Sequence, residues 1–160
     1  VLRYKSAKYS IERPLHVGAA LAGATPAQLD QLSEFGLPLG EAFQLRDDLL
    51  GVFGDPAATG KPAGDDLVEG KRTVLIALAL DGAGAADAAR LDGALGSPLD
   101  EAEVDDLRAI IHESGARDQV EALIEDLADR AVAALQRADV DEAARVVLTQ
   151  LAAAATQRAV

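Results

Sequence analysis

Cysteine, methionine and tryptophan are absent from this chain, and histidine occurs only at His16 and His112. Without cysteine there is no disulfide, no thiolate metal site and no cysteine nucleophile. Two histidines are too few for a multi-histidine zinc centre. Aromatic residues make up only 3%, which leaves a β-sheet short of the side chains that strands favour. No apolar run of about 18 residues or more occurs, so no transmembrane helix is expected, and no signal-peptide pattern opens the chain. Positive charge is also scarce. The net charge is −12, and nucleic acid and anionic membrane both repel an acidic surface. The expectation is a soluble, cytoplasmic protein with no nucleic-acid partner and no stable membrane insertion. The missing methionine carries a further expectation: Val1 is not where translation started, and the chain is the C-terminal part of something longer. A cloning boundary or a disordered start is the alternative.

What is present points to helices. Apolar residues make up 49% of the 160 residues and are mostly Ala, Leu and Val, among which Ala and Leu are strong helix formers. Residues 2–23 read as one helix, or two joined near Pro14. Thr25 as N-cap, Pro26 at the first helical position and Gln28 closing a capping box start the next. That helix carries Leu29, Leu32, Phe35, Gly36, Leu39, Phe43 and Leu50 at near-helical spacing and runs to about Gly51 or Gly54, with a kink expected at Pro38. Residues 54–70, rich in Gly and Pro, read as the only long loop, of a length that is usually functional or disordered. Helices follow over 71–81 (Val74, Leu75, Leu78 and Ala79 on one face), 85–95, from Asp100 to Ser114-Gly115, 116–138 and 140–158. The stripe of 116–138 is Val120, Leu123, Ile124, Leu127, Ala131 and Leu135. There is no strand pattern and no fixed-period repeat. The fold class is all-α, with residues 1–160 forming a single region that belongs to one larger domain.

The chemistry concentrates in one stretch. Asp47 and Asp48 sit side by side in an otherwise apolar helical run, and Lys61, Asp65, Asp66 and Lys71 follow in the loop. Gln44, Asp47 and Asp48 are three and four residues apart and share a helix face. Position 51 lies on the same face but is Gly. Carboxylates near a helix C-terminus cost roughly 0.3–1 kcal/mol each, and two close together repel. A bound divalent cation offsets both penalties. Paired carboxylates beside lysines are what a Mg²⁺-bridged diphosphate requires, because the metal takes carboxylate oxygens on one side and phosphate oxygens on the other. Asp47 and Asp48 alone are equally explained as a solvated acidic patch. All four lysines lie at positions 5, 8, 61 and 71, and every basic residue after Lys71 is Arg. That placement suits sites that need a compact point charge, although chance in an Arg-rich chain accounts for it as well.

Several motifs in order change the weighing. Phe43-Gln44-x-x-Asp47-Asp48, Gly54-Asp55, Gly60-Lys61-Pro62-x-Gly64-x-Asp66 and Glu69-Gly70-Lys71-x-Thr73 resemble the second aspartate-rich region of the trans-isoprenyl diphosphate synthases. Upstream, Lys5-Ser6-Ala7, Pro14-Leu15 and Gly18-Ala19-x-Leu21-Ala22-Gly23 are similar to that family's Lys-Thr helix and the run after it. The resemblance covers residues 1–81. It implies the C-terminal helices of the isoprenoid synthase bundle, a central cavity, Mg²⁺ as cofactor, and two substrates: an allylic diphosphate that ionises and isopentenyl diphosphate that attacks the cation. It also implies a homodimer when intact. By this resemblance Asp47 and Asp48 are the metal-bridging aspartates, Gln44 faces the allylic substrate, and Lys5, Ser6, Lys61 and Lys71 bind its diphosphate. Asp47, Asp48, Lys5 and Gln44 carry the catalysis, the amines of Lys5 and Lys61 converging with Asp47 and Asp48 on one pocket. Ser6 stands where the family usually has Thr, and Gly51 where many members have a third Asp, which leaves one metal ligand in question.

The first aspartate-rich motif and the basic residues that bind isopentenyl diphosphate in the family do not occur in this sequence, so residues 1–160 alone are expected to be inactive. Product length, set in the family near that first motif, is not readable here. Two rivals stand. A class I terpene cyclase shares the fold, but its second metal motif mixes Asn, Ser or Asp with Glu. A non-catalytic partner subunit of an active synthase draws support from Gly51. Elsewhere, His16 reads as a packed or interface histidine and His112 as a surface or boundary residue. Arg46 reads as a salt-bridge partner. Tyr4 and Tyr9 read either as lining a cavity mouth or as helix packing. Asp65 and Asp66 either hold metal through water or order the loop, Asp66 fitting the family pattern better.

Overall fold

The computed structural model describes the backbone of residues 2–55 and 64–157, and side chains from residue 6 onward within those limits. Among them there is no strand. A π-helical segment, Leu2–Glu12, leads into α1 (Arg13–Leu21), followed by α2 (Pro26–Phe53) and the short α3 (Asp65–Val68). Then come α4 (Val74–Gly82), α5 (Ala85–Ala94), α6 (Glu101–Glu113), α7 (Ala116–Arg137) and α8 (Glu142–Thr156). No helix among the described residues is long and apolar enough to cross a membrane.

The helix ends follow local chemistry. Gln28 N–H donates to Thr25 Oγ1 at 3.3 Å and Thr25 N–H to Gln28 Oε1 at 2.9 Å, the reciprocal capping box of α2. Asp100 and Glu103 close another on α6, and Asp141 accepts from Ala144 N–H at the start of α8. Arg145 donates to the carbonyls of Leu135, Ala138 and Val140, placing a cation where the last carbonyls of α7 lack helical donors. The expected junction near Pro14 is a change of helical form at Glu12–Arg13, residues 2–12 being π-helical. One expectation needs correction. Residues 65–68, expected as loop, form a helical turn. α2 is unbroken over 28 residues through Pro38, although proline leaves the Glu34 carbonyl without its helical donor.

The described residues fall into two compact units, residues 2–44 with 123–157, and residues 45–55 with 64–122. In the first, Phe35, Leu39, Ala131, Leu135 and Ala152 form a buried cluster on α2, α7 and α8. Close packing of the π-helical segment and α1 on α2 depends on glycine. A Cβ added at Gly40 would stand 2.5 Å from Ala7 Cα, and one at Gly36 would stand 3.0 Å from Leu15 Cδ1. His16 Nε2 lies 2.8 Å from Ser33 Oγ, a packed histidine between α1 and α2. This unit also has an apolar hollow of about 1060 Å³, lined among others by Pro14, Gly18, Leu32, Phe43, Val147 and Leu151. Val17, Leu21, Val147 and Leu151 are exposed.

In the second unit α4, α5 and α6 pack on one another. Leu75, Ile76, Ala79, Leu91, Val104, Leu107 and Ile111 are buried there, as are Leu45, Leu49 and Val52 from the last turns of α2. Each large aliphatic side chain so buried contributes about 1.5–3 kcal/mol. Ile76, left off the expected stripe of α4, is buried, whereas Leu123, placed on the stripe of α7, is 42% exposed.

Candidate active site

The last turns of α2 carry the paired aspartates. Asp48 is buried, 5% exposed, and Asp47 is exposed. The two neighbours therefore differ in environment rather than forming a uniform solvated patch. The helix around them is fixed in place. Arg46 donates to both carboxylate oxygens of Glu121 on α7, at 2.8 and 2.6 Å, the bidentate geometry that the planar guanidinium favours. Arg108 of α6 donates through Nε to the Val52 carbonyl at 2.6 Å, so a cation sits at the negative end of α2.

α3 brings a further carboxylate to this place. Gly64, with φ of 70°, supplies the left-handed turn ahead of it. Asp66 is 5% exposed. Its carboxylate lies where a side chain at position 51 would begin, and a Cβ on Gly51 would overlap it. Lys71 Nζ reaches Asp66 Oδ1 at 2.5 Å and Glu69 Oε2 at 2.9 Å. The Asp66 hydrogen bond holds the Lys71 ammonium well above the usual lysine range, opposed by burial and aided by Glu69. A lysine raised in this way contributes its stability fully below the unfolded value of about 10.5 and loses it only as pH climbs through the folded value. The pair is thus intact throughout the neutral range. Ligand oxygens of Asp65, Asp66 and Glu69 all lie within 4.8 Å of one another. Glu69 stands in the quoted motif without an assigned role, and its place three residues after Asp66 puts both on one face.

In the first unit, Ser6 donates from Oγ to Gln44 Oε1 at 2.5 Å. The hydroxyl expected to meet a diphosphate is therefore engaged with the glutamine amide. Phe43, next to Gln44, lines the apolar hollow. We expect Ser6→Ala to lower stability by about 1 kcal/mol and Ser6→Thr to retain it, as read from urea midpoints at unchanged slope. The Lys5 side chain and all of Lys61 lie outside the described residues, as does the Tyr4 side chain, so the expected convergence of those amines with Asp47 and Asp48 falls outside them too. Tyr9 is 77% exposed. His112 is on the surface.

Residues 1–113 match the polyprenyl synthetase family, and the chain belongs to that family. It is 40% identical over 130 residues to geranylfarnesyl diphosphate synthase of Aeropyrum pernix, covering 79% of this chain and 39% of that protein. It is 33% identical over 147 residues to a short chain isoprenyl diphosphate synthase of Methanothermobacter thermautotrophicus, covering 90% and 45%. Among solved structures, geranylgeranyl pyrophosphate synthase from Corynebacterium glutamicum, complexed with isoprenyl diphosphate and magnesium, matches with a TM-score of 0.95 and 45% identity over 98% of this chain and 45% of that one. Polyprenyl synthase from Caulobacter crescentus, complexed with calcium and isoprenyl diphosphate, matches with a TM-score of 0.87 and 37% identity over 98% and 48%. The fold is therefore the helical bundle of the isoprenyl diphosphate synthases. The chain spans less than half the length of these relatives.

Proposed function

We propose that this chain forms the allylic-diphosphate half of a polyprenyl diphosphate synthase, which condenses isopentenyl diphosphate with an allylic diphosphate by head-to-tail elongation. The observation that carries the reading is the Asp66–Lys71 pair seated against Gly51 in the last turns of α2, the helix end that also carries Asp47 and the buried Asp48, within a family whose named relatives make prenyl diphosphates. The donor set is carboxylate oxygen alone, with Asp66 seated in the cradle that Gly51 leaves, and oxygen donors suit Mg²⁺. Asp47, Asp48 and Asp66 would hold the ion. When bound, Mg²⁺ supplies positive charge that stabilises the departing diphosphate.

The chain's own residues do the remaining work in this reading. Lys5, Lys61 and Lys71 offer ammonium donors to the diphosphate oxygens. Arg46 and Arg108 fix the last turns of α2, so the aspartates do not have to be ordered at the moment of reaction. Ser6 orients the Gln44 amide. Residues 1–160 form the C-terminal part of one larger all-α domain. Homodimerisation and a cytoplasmic location of the intact protein belong to the same proposal.

Chain alone and chain joined to a first aspartate-rich half give the test. With Mg²⁺, labelled isopentenyl diphosphate and an allylic diphosphate, the joined protein should yield labelled prenyl diphosphate and the chain alone none. Normal turnover by the chain alone would refute the assignment of a half-site. No turnover by a folded joined protein, with no Mg²⁺-dependent binding of a diphosphate analogue, would favour the non-catalytic subunit. Asp66 at the Gly51 cradle weighs against that rival, because the carboxylate lacking at position 51 is present in space.

A further inference from the structure

In the first unit, α2 and α7 leave a groove of about 550 Å³ between them. Leu37 and Pro38 of α2 and Ala133 and Ala134 of α7 supply its apolar lining. Four charges border it, Glu34 and Glu41 on α2 and Arg130 and Arg137 on α7. The two in each row are 7 residues apart, about 10 Å along a helix that rises 1.5 Å per residue. The helices run antiparallel, because Gln28 and Gln31 near the start of α2 bond Asp139 just beyond the end of α7. Glu34 therefore stands toward Arg137, and Glu41 toward Arg130. Neither rung closes into an ion pair. Arg130 reaches Asp126 on its own helix, at 3.6 Å. Among the described residues no hydrogen bond or ion pair engages the side chains of Glu34, Glu41 or Arg137. Pro38 adds an acceptor on the acidic side, since it leaves the Glu34 carbonyl without its helical donor.

Opposite charges that face each other unpaired across an apolar strip offer partners to both flanks of a third helix. Spacing by seven residues is two helical turns, so one helix laid along the groove meets both rungs with side chains a heptad apart. We propose that this groove seats a helix from the half of the synthase that this chain lacks, with small or apolar residues against Pro38 and Ala133, basic side chains toward α2 and acidic ones toward α7. The inference rests on the reading of the chain as one half of a synthase. The chain covers 45% of a relative that it matches over 98% of its own length, so more than half of that relative has no counterpart here. The charges also set direction. Turning the helix end for end exchanges its flanks and brings like charges together, which rejects the reversed docking. A second copy fits less well, because two copies of the groove meeting face to face leave the space between them unfilled.

The absence of cysteine from this chain gives the test its handle. Ala133→Cys places a thiol at an exposed position of the groove, and its alkylation by iodoacetamide is followed by mass spectrometry of the peptide that carries it. In the chain joined to a first aspartate-rich half, alkylation should be at least about 10-fold slower than in the chain alone, the groove then being open less than a tenth of the time. Adding Arg130→Glu and Arg137→Glu should return the rate to within about 3-fold of the chain alone, because like charges then face each other along that flank. A merely structural role for the arginines moves the rate in both forms alike. Equal rates in the two forms, in a joined protein that makes prenyl diphosphate, would overturn the inference alone, as would protection that survives the charge reversal. Should the reversed variant lose its helical circular dichroism, the comparison of Ala133→Cys in the two forms decides. Protection that appears in the chain alone as its concentration rises assigns the groove to a second copy and overturns the inference. A joined protein with neither turnover nor Mg²⁺-dependent binding of a diphosphate analogue overturns the functional reading, and the inference with it.

Discussion

Asp48→Ala in an active synthase carrying this chain should lower turnover by about 10²–10³-fold, the cost typical of removing one preorganised group that stabilises charge developing in the transition state. Asp48 is 5% exposed and sits on a helix braced by Arg46–Glu121 and Arg108–Val52. Its contribution is therefore fixed in advance of binding. Asp48→Asn should lose nearly as much, because it keeps the shape but not the charge. The Michaelis constant for isopentenyl diphosphate should change far less than turnover, since that substrate's diphosphate is assigned to residues other than Asp48. Steady-state incorporation of labelled isopentenyl diphosphate at saturating Mg²⁺ makes the measurement. An Asp48→Ala protein with more than a tenth of parental turnover would remove Asp48 from the machinery.

Gly40→Val should be strongly damaging to folding. The Cβ alone would stand 2.5 Å from Ala7 Cα, 2.8 Å from its Cβ and 3.2 Å from its carbonyl carbon. Most of what it meets is backbone, so no rotamer change relieves the overlap and α2 must separate from the π-helical segment. Overpacking of a close contact costs about 1–3 kcal/mol and sometimes more; here the upper end, about 3 kcal/mol, is expected. At roughly 1.4 kcal/mol per decade, that is more than a hundredfold in the folding equilibrium. A drop in the urea midpoint at constant slope measures it. Gly18 is the internal control, because a Cβ there meets nothing within 4 Å. Gly18→Ala should stabilise α1 by about 0.5–1 kcal/mol.

Much of this was legible in the order of residues, and the exceptions have physical reasons. Thr25-Pro26 and Asp100 announced α2 and α6 because capping is local: the partners are three residues apart. The all-α class followed from Ala and Leu content and the 3.6-residue stripes. The π-helical form of residues 2–12 was not legible, since a π-helix differs from an α-helix in which carbonyl each N–H reaches, and residue type does not fix that choice. α3 was hidden for the opposite reason. Gly64 and Gly70 mark turns, and only the packing of Leu67 shows that four residues between them coil. Leu123 matched the stripe of α7 yet lies 42% exposed, because periodicity identifies a face and not its edges.

At the site, Asp47, Asp48 and Gln44 could be grouped from spacing alone, since one helix carries all three. Asp66 above Gly51 could not. The two are 15 positions apart by number, and their meeting depends on a turn whose geometry glycine sets. In space, the Asp66 carboxylate lies where a side chain at position 51 would begin.

The hollow bounded by Pro14, Phe43 and Leu151 also bears on handling. Its oily walls invite copies to adhere, and the surplus of 12 negative charges pushes them apart. These opposing tendencies respond differently to ions. Added salt shortens the reach of the repulsion to about 10 Å at 0.1 M and leaves the stickiness untouched. Dilute buffer should therefore keep the molecules single, and brine should bring them out of solution.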